Sequence, residues 1–160
     1  MEAAEKTIGA APARERLLPA ADPAAINRLE LRFLSRAENV SLARLLTAAA
    51  VAERELTLAE LDEIKVAVSE AVTNAIIHGY QGREDCWVEL SLCLDGDELT
   101  IRVHDDGVGI ADVRQAMTPS WSGCGRMGLG FAFMNSFMDR IEVESRLGQG
   151  TTVALHKELP

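Results

Sequence analysis

Long hydrophobic runs are missing from this sequence. No apolar stretch approaches the roughly 18 to 20 residues that a membrane-spanning helix needs, and the first residues lack the basic-then-apolar order of a secretion signal. We therefore expect a cytoplasmic protein that neither enters nor crosses a membrane. Because 48% of the 160 residues are hydrophobic, the chain has enough apolar mass for the core of one globular domain.

Cysteine and positive charge are also scarce. The three cysteines, Cys86, Cys93 and Cys124, are an odd number without C-x-x-C spacing, so we expect reduced thiols and neither a disulfide framework nor a zinc site. The 16 basic and 25 acidic residues give a formal charge of -9. This charge disfavours direct nucleic-acid binding, because phosphate contacts need a basic surface. A protein partner or a metal-bound nucleotide fits it better.

Prolines mark the limits of the folded part. None lies between residues 24 and 118, which leaves that stretch free of the residue that most strongly breaks helices and strands. Residues 1–25 are rich in alanine and proline and show no amphipathic period, so we predict a mobile N-terminal extension there. Residues 26–160 then form a single domain.

Alternating apolar residues and helix-start signals predict the order of the elements. Capping-box spacing at Ser35–Glu38 predicts a first helix to about Glu53, and the same signal at Thr57–Glu60 predicts a second helix that Gly79 ends. A third helix is predicted at 129–138, one strand at 28–33, and hairpins pairing 86–94 with 99–105 and 141–145 with 151–155. Because each strand has one apolar face, the predicted fold is an α/β two-layer sandwich. Its sheet is mixed and mostly antiparallel, with helices on one face.

Two polar residues form one spot on the second predicted helix. Glu70 and Asn74 are four residues apart, which places them about 40° apart around the helix axis. Val66 and Ile77 flank the spot, so the helix is apolar on two sides and the spot is expected to line a cavity. A solvated Glu-x-x-x-Asn pair is the alternative interpretation.

A carboxylate is expected inside the sheet. Apolar residues alternate from Leu99 to Val103, and Asp105 continues their inward parity. A buried charge without hydrogen bonds is costly, so this carboxylate needs a partner. Gly107 and Gly109 follow, and glycines let a backbone approach a ligand closely. A plain turn is the alternative, but the inward carboxylate favours ligand binding.

Glycines recur before the third predicted helix, and a threonine recurs in the last strand. Gly128 and Gly130 lie at the expected helix N-terminus, whose free N–H groups suit phosphate, although the Gly-Lys-Ser/Thr of a P-loop is absent. Arg126 is either a cation for a phosphate chain or a solvated loop residue. Thr151 shares inward parity with Val153; it either bridges Asp105 and a base or simply follows strand propensity.

The order of these four motifs resembles a known ATP-binding fold. Glu-x-x-x-Asn on a helix, Asp-x-Gly-x-Gly after a strand, Gly-x-Gly opening a helix and a late Gly-Thr are similar to the fold shared by gyrase, Hsp90, MutL and histidine kinases, over residues 57–157. Within that group, the runs from Ser69 to Tyr80 and from Phe131 to Asp139 resemble the anti-sigma F factors of endospore-forming bacteria and their serine-kinase relatives.

This resemblance implies a role for each motif. It implies that ATP or ADP binds, that Asp105 accepts the adenine amino group, that Asn74 coordinates Mg²⁺ and that Glu70 is the base. Further nucleotide contacts are implied for Gly107, Gly109 and Thr151 at the base, and for Arg126, Gly128 and Gly130 at the phosphates, beneath a lid at about 117–126.

The resemblance also implies partners. In the family, a serine on an anti-anti-sigma factor accepts the phosphate, and the same kinase holds a sigma factor inactive. Arg44 in the first helix matches a docking position, and pairing of two chains through the sheet would form a homodimer.

Two function classes remain open after this comparison of motifs. One is a serine kinase of a sporulation or general stress-response pathway; the other is a nucleotide-gated binding protein without phosphoryl transfer. The presence of Glu70 favours the kinase. A histidine kinase is not expected, because no phosphoacceptor histidine precedes the ATP-binding motifs on a helical hairpin, and His78 is predicted to be a structural residue at a helix end. A gyrase-type or Hsp90-type ATPase would need more chain.

Overall fold

The computed structural model describes residues 27–118 and 127–160. The predicted extension at 1–25 and most of the predicted lid, with Cys124 and Arg126, lie outside them. The strands are β1 (Asn27–Leu34), β2 (Trp87–Asp95), β3 (Glu98–Asp105), β4 (Arg140–Arg146) and β5 (Gly150–Glu158). The helices are α1 (Asn39–Ala50), α2 (Leu58–Asn74), α3 (Val113–Ala116) and α4 (Met127–Phe137). No helix in these two described ranges is long and apolar enough to cross a membrane.

The five strands form one sheet in the order β1-β2-β3-β5-β4. All four pairings in the described ranges are antiparallel, so the expectation of a mixed sheet is corrected while the α/β two-layer sandwich is confirmed. The physical reason is that two of the pairings, β2 with β3 and β4 with β5, are hairpins with short turns, which can only be antiparallel. The turn glycines Gly96 and Gly148 have φ of 57° and 71°, a conformation that favours glycine.

The two long helices between β1 and β2 start differently. At α2 the predicted capping box is present: Thr57 Oγ1 accepts from the N–H of Glu60, whose carboxylate accepts from the Thr57 N–H. At α1 the predicted box is wrong. The hydroxyl of Ser35 instead donates to the carbonyl of Arg83 and accepts from the N–H of Cys86, which ties the end of β1 to the start of β2. The helix therefore begins only at Asn39, without a side-chain cap, and it ends at Ala50.

The core lies between the helices and the inward face of the sheet. The central helix α2 contacts both α1 and α4. Its buried side chains are Ile64, Ala67, Val68, Ala71 and Val72, and they share the core with Phe131 and Met134 of α4 and with Leu90, Leu92, Leu99, Ile101 and Leu155 of the sheet. Each fully buried large apolar side chain contributes roughly 1.5–3 kcal/mol to folding. This packing fixes α2 above the ends of β3 and β5.

The end of α2 changes its winding. Residues Ala75–Gly79 form a π-helical turn, a local distortion that often occurs at functional sites, and the helix stops at Gly79 as predicted. The carbonyl of Gly79 accepts a hydrogen bond of 2.9 Å from the N–H of Val108. The helix end is thereby joined to the loop that follows β3.

Candidate nucleotide-binding site

A cavity opens between α2, α4 and the ends of β3 and β5. It is lined by Ala71, Asn74, Ala75, His78, Gly79, Val103, Asp105, Gly109, Ile110, Phe131, Thr151 and Val153. Four residues singled out from the sequence, Asn74, Asp105, Gly109 and Thr151, are therefore brought together in its wall. They come from motifs that are far apart in the chain, so the fold unites them as the motif order predicted.

Asp105 supplies a buried acceptor at one end of the cavity. Its side chain continues the inward parity of β3, and the residue is only 4% exposed. Burial raises the pKa of the Asp105 carboxyl to about 6, and the hydrogen bond of 2.9 Å from the Gly107 N–H acts in the opposite direction. The group is thus mostly ionised at neutral pH and presents carboxylate oxygen to a ligand that can donate.

Glycines allow the Asp105 carboxylate to lie directly on the helix end. A Cβ on Gly79 would stand 2.5 Å from Asp105 Oδ1, so any side chain there would displace the carboxylate. A Cβ on Gly107 would overlap the carbonyl of Gly79. Gly109 has a φ of 73°, which favours glycine, and it packs against the carbonyl of Arg146. The predicted need for close backbone approach at Gly107 and Gly109 thus has a structural basis.

Tyr80 holds the loop after β3 from outside the cavity. Its hydroxyl accepts a hydrogen bond of 2.8 Å from the N–H of Asp106 and donates to the carbonyl of Trp87. Burial raises the pKa of Tyr80 to about 12, so the phenol remains protonated and able to donate. This role was not predicted from the sequence, although the chain's single tyrosine directly follows the helix-ending Gly79.

Glu70 and Asn74 meet the first turn of α4 at the other end of the cavity. A Cβ on Gly130 would lie 2.8 Å from Glu70 Oε2 and 3.4 Å from Asn74 Nδ2, so a larger residue would displace the end of the Glu70 side chain from this polar spot. Asn74 lines the cavity as predicted, and Glu70 lies beside it. The flanking residues Val66 and Ile77 are partly exposed, 39% and 47%, and are not among the cavity-lining residues.

The side-chain amide nitrogen of Asn74 is buried. This Nδ2 atom has no hydrogen-bond partner among the described residues. Amide and carboxylate oxygens are ligands that Mg²⁺ accepts, and Asn74 and Glu70 offer both. No three His, Cys, Asp or Glu side chains converge on a metal position in residues 27–118 and 127–160. A divalent ion would therefore depend on phosphate oxygens of a ligand to complete its coordination.

The remaining predicted phosphate residues are only partly described. Gly128 and Gly130 both belong to the first turn of α4. Arg126 lies outside the described residues. His78, expected to be structural, lies on the cavity wall, and burial lowers the pKa of its imidazole.

Thr151 faces the cavity beside Asp105 and is paired with it across the β3–β5 ladder. The residue is 8% exposed, and its Oγ1 lies 2.8 Å from the hydroxyl of Ser145. Ser145 was not predicted from the sequence as a site residue. The strand parity that identified Asp105 also indicates Ser145, because Ser145 lies on the same face of β4 as Ile141 and Val143.

The chain is similar to known proteins. The family model described as "Histidine kinase-like ATPase domain" matches residues 33–157. An anti-sigma F factor of Clostridium beijerinckii is 43% identical over 135 residues, covering 82% of this chain and 94% of that protein. One of Geobacillus kaustophilus is 44% identical over 136 residues, covering 83% of this chain and 93% of that protein.

A solved structure supports the fold independently. It is the crystal structure of the RsbU and RsbW domains of Rv1364c from Mycobacterium tuberculosis, with a TM-score of 0.56 and 21% identity. The match covers 83% of this chain and 32% of that longer chain. Together with the cavity and the matched motifs, these similarities show that the chain belongs to the histidine kinase-like ATPase domain family and, within it, to the anti-sigma F factors.

Proposed function

We propose that the protein is an anti-sigma factor that inhibits a sporulation sigma factor and, as an ATP-dependent serine kinase, phosphorylates its anti-anti-sigma antagonist. The observation that carries the proposal is one cavity with a buried carboxylate at Asp105 and a polar spot at Glu70 and Asn74 beside the start of α4. The similarity of the chain to proteins named anti-sigma F factor indicates a sigma factor as the class of partner.

The proposed nucleotide lies along the cavity from Asp105 to Gly130. The ionised carboxylate accepts from the adenine amino group, with Thr151 and the backbone near Gly107 and Gly109 beside the base. The N-terminus of α4, with Gly128 and Gly130, receives the phosphates, because free N–H groups and the helix dipole favour negative charge there. Arg126 is proposed as an additional phosphate contact.

Asn74 is the residue proposed to hold Mg²⁺. Its side-chain oxygen Oδ1 is the proposed ligand, because Mg²⁺ takes amide oxygens. The buried Nδ2 donor, which has no partner among the described residues, fits an acceptor such as a phosphate oxygen of the same nucleotide. When bound, the ion supplies charge neutralisation for the transferring phosphoryl group. Asn74 fixes its place on α2, one helical turn beyond Glu70.

Glu70 is the proposed general base. A serine hydroxyl from the partner enters beside Gly130, where a Glu70 oxygen lies against the helix backbone. As the serine oxygen bonds to the γ-phosphorus and the bond to the leaving ADP oxygen breaks, Glu70 accepts the hydroxyl proton. Positioning and proton transfer of this kind are the main contributions a protein makes to phosphoryl transfer.

The helix α1 offers the proposed sigma-factor surface. Arg44 is exposed, and the neighbouring Leu42 and Leu45 are 42% and 68% exposed. An exposed arginine between apolar side chains is a typical centre of a protein interface.

Reversing the charge of Arg44 tests this docking surface. Arg44→Glu should weaken retention of the sigma factor in a pull-down with MgATP by about tenfold or more, because arginines at interface centres often contribute about 2 kcal/mol. Nucleotide binding should be unchanged, since Arg44 is not in the cavity wall. Lys65→Glu, a matched reversal on α2 where Lys65 pairs with Asp62, is the control. Equal retention by the Arg44 variant and the parent would remove α1 from the interface.

The outer face of the sheet is the proposed homodimer surface. Ser91 Oγ and Arg102 Nε lie on this face, buried and without a hydrogen-bond partner among the described residues. Basic and acidic side chains occur together on the face, including Arg32, Glu142 and Glu144. A mixed charge pattern of this kind can complement itself across a twofold axis.

Sedimentation checks the dimer directly. At micromolar concentration we expect a species of twice the 17.3 kDa chain mass, and Arg102→Glu should shift it to the monomer. A single 17.3 kDa species for the parent chain at that concentration would contradict the dimer.

A further inference from the structure

One hydroxyl group links three parts of the adenine end of the cavity. Ser145 Oγ accepts a hydrogen bond of 2.7 Å from the N–H of Ile110 and donates to the carbonyl of Gly150 at 3.0 Å. It also lies 2.8 Å from Thr151 Oγ1. Ile110 follows Gly109 in the loop after β3, and Thr151 lines the cavity from β5. Ser145 therefore contacts both segments that flank the Asp105 carboxylate.

The protons of the two hydroxyls can be arranged in only two ways. When Ser145 donates to the Gly150 carbonyl, Thr151 donates to Ser145 and turns a lone pair to the cavity. When Ser145 donates to Thr151 instead, the proton of Thr151 is free for an acceptor in the cavity. In both arrangements the Thr151 oxygen keeps its position, so it can serve a ligand donor or acceptor without changing rotamer.

We propose that Ser145 is a positioning residue for adenine recognition, acting through the hydroxyl of Thr151. This inference rests on the proposed nucleotide binding but not on phosphoryl transfer or on any partner. Ser145 does not line the cavity itself. Without its hydroxyl, the mostly buried Thr151 loses the partner that holds its oxygen towards the base, and the Ile110 N–H loses its acceptor.

Titration calorimetry with MgADP measures the effect. Ser145→Ala should weaken ADP binding about tenfold, which corresponds to the loss of about one hydrogen bond. Ser145→Thr, which keeps the hydroxyl, should restore affinity to within about twofold. Ser136→Ala is the matched control, because the one hydrogen bond of the Ser136 hydroxyl in the described part of the chain is to the carbonyl of Ala132 within α4, and it should bind like the parent.

A double-mutant cycle with Thr151→Val separates positioning from general damage. If Ser145 acts through Thr151, the double variant binds ADP no more weakly than Thr151→Val alone, because the hydroxyl that Ser145 orients is already gone. Losses that multiply in the double variant, or an unchanged affinity in Ser145→Ala, would overturn the inference. If Ser145→Ala lacks a cooperative melt, Ser145→Cys replaces it in the cycle, since a thiol is nearly the same size and a weak hydrogen-bonding group.

Measurements on the parent chain separate failure of the proposed function from failure of the Ser145 inference. Failure of the parent to bind MgADP would overturn the proposed function and this inference together. Binding by the parent with no cost in the serine variants would overturn the role of Ser145 alone.

Discussion

Glu70→Gln should reduce phosphoryl transfer by about 10²- to 10⁴-fold, because general-base catalysis contributes a rate factor of that size. Glutamine keeps the shape of the side chain beside Gly130 but has no carboxylate to accept the serine proton. Affinity for MgADP and retention of the sigma factor should remain within about twofold of the parent. The measurement is a single-turnover assay that follows labelled phosphate from ATP to the anti-anti-sigma partner.

Two further variants make the Glu70 result specific. Glu63→Gln makes the same chemical change seven residues earlier on α2, where Glu63 pairs with Lys157, and it should transfer phosphate at the parent rate. Asn74→Ala should reduce metal-dependent nucleotide binding and transfer together. Transfer at the parent rate by Glu70→Gln would show that Glu70 is not the base and that positioning alone accounts for the rate.

Asp105→Asn should weaken MgADP binding by at least about tenfold. The carboxylate accepts from the adenine amino group, whereas the amide places an N–H donor on that side and lacks the negative charge. Hydrogen bonds to charged groups contribute about 1.5–3 kcal/mol, which corresponds to a tenfold or larger change in affinity. Calorimetric titration measures it, and unchanged ADP affinity in a folded variant would remove the adenine role of Asp105.

The same variant has an opposite expected effect on the nucleotide-free fold. Because burial raises the Asp105 pKa from 3.8 to about 6, the folded state binds more protons than the unfolded state between these values, and stability falls as pH rises through that window. The neutral amide of the variant carries no such cost. Asp105→Asn should therefore exceed the parent in free energy of unfolding by on the order of 2 kcal/mol at pH 8, with the difference shrinking towards pH 4. A difference in free energy of unfolding that does not change with pH would contradict a raised pKa of the Asp105 carboxyl.

Strand parity explains how much of the site was predictable. The inward direction of Asp105 followed from the alternation of Leu99 to Val103, and the structure confirms it with 4% exposure. The same rule applied to β4 would have identified Ser145, a polar residue in an inward row. Its partner Thr151 also follows from the predicted hairpin, in which Ser145 and Thr151 face each other across β4 and β5. Its partner Ile110 was not predictable, because that contact depends on how the loop after β3 meets the hairpin.

Local signals predicted elements better than they predicted the hydrogen bonds between them. The capping box at Thr57 is made, since Glu60 has no competing tertiary partner that the structure describes. At Ser35 the same spacing failed, because the hydroxyl bonds instead to Arg83 and Cys86, about fifty residues away. The role of Tyr80 likewise requires the π-helical turn, a distortion that no capping or periodicity signal in the sequence indicates.

Transfer of labelled phosphate by the parent protein tests the proposed function most directly. The chain, loaded with its sigma factor, is mixed with γ-labelled ATP, Mg²⁺ and a candidate anti-anti-sigma factor. We predict label on a serine of the anti-anti-sigma factor, at a rate about 10²- to 10⁴-fold lower after Glu70→Gln. Binding of ATP and retention of the sigma factor without any labelled serine would contradict the kinase and establish a nucleotide-gated binding protein instead.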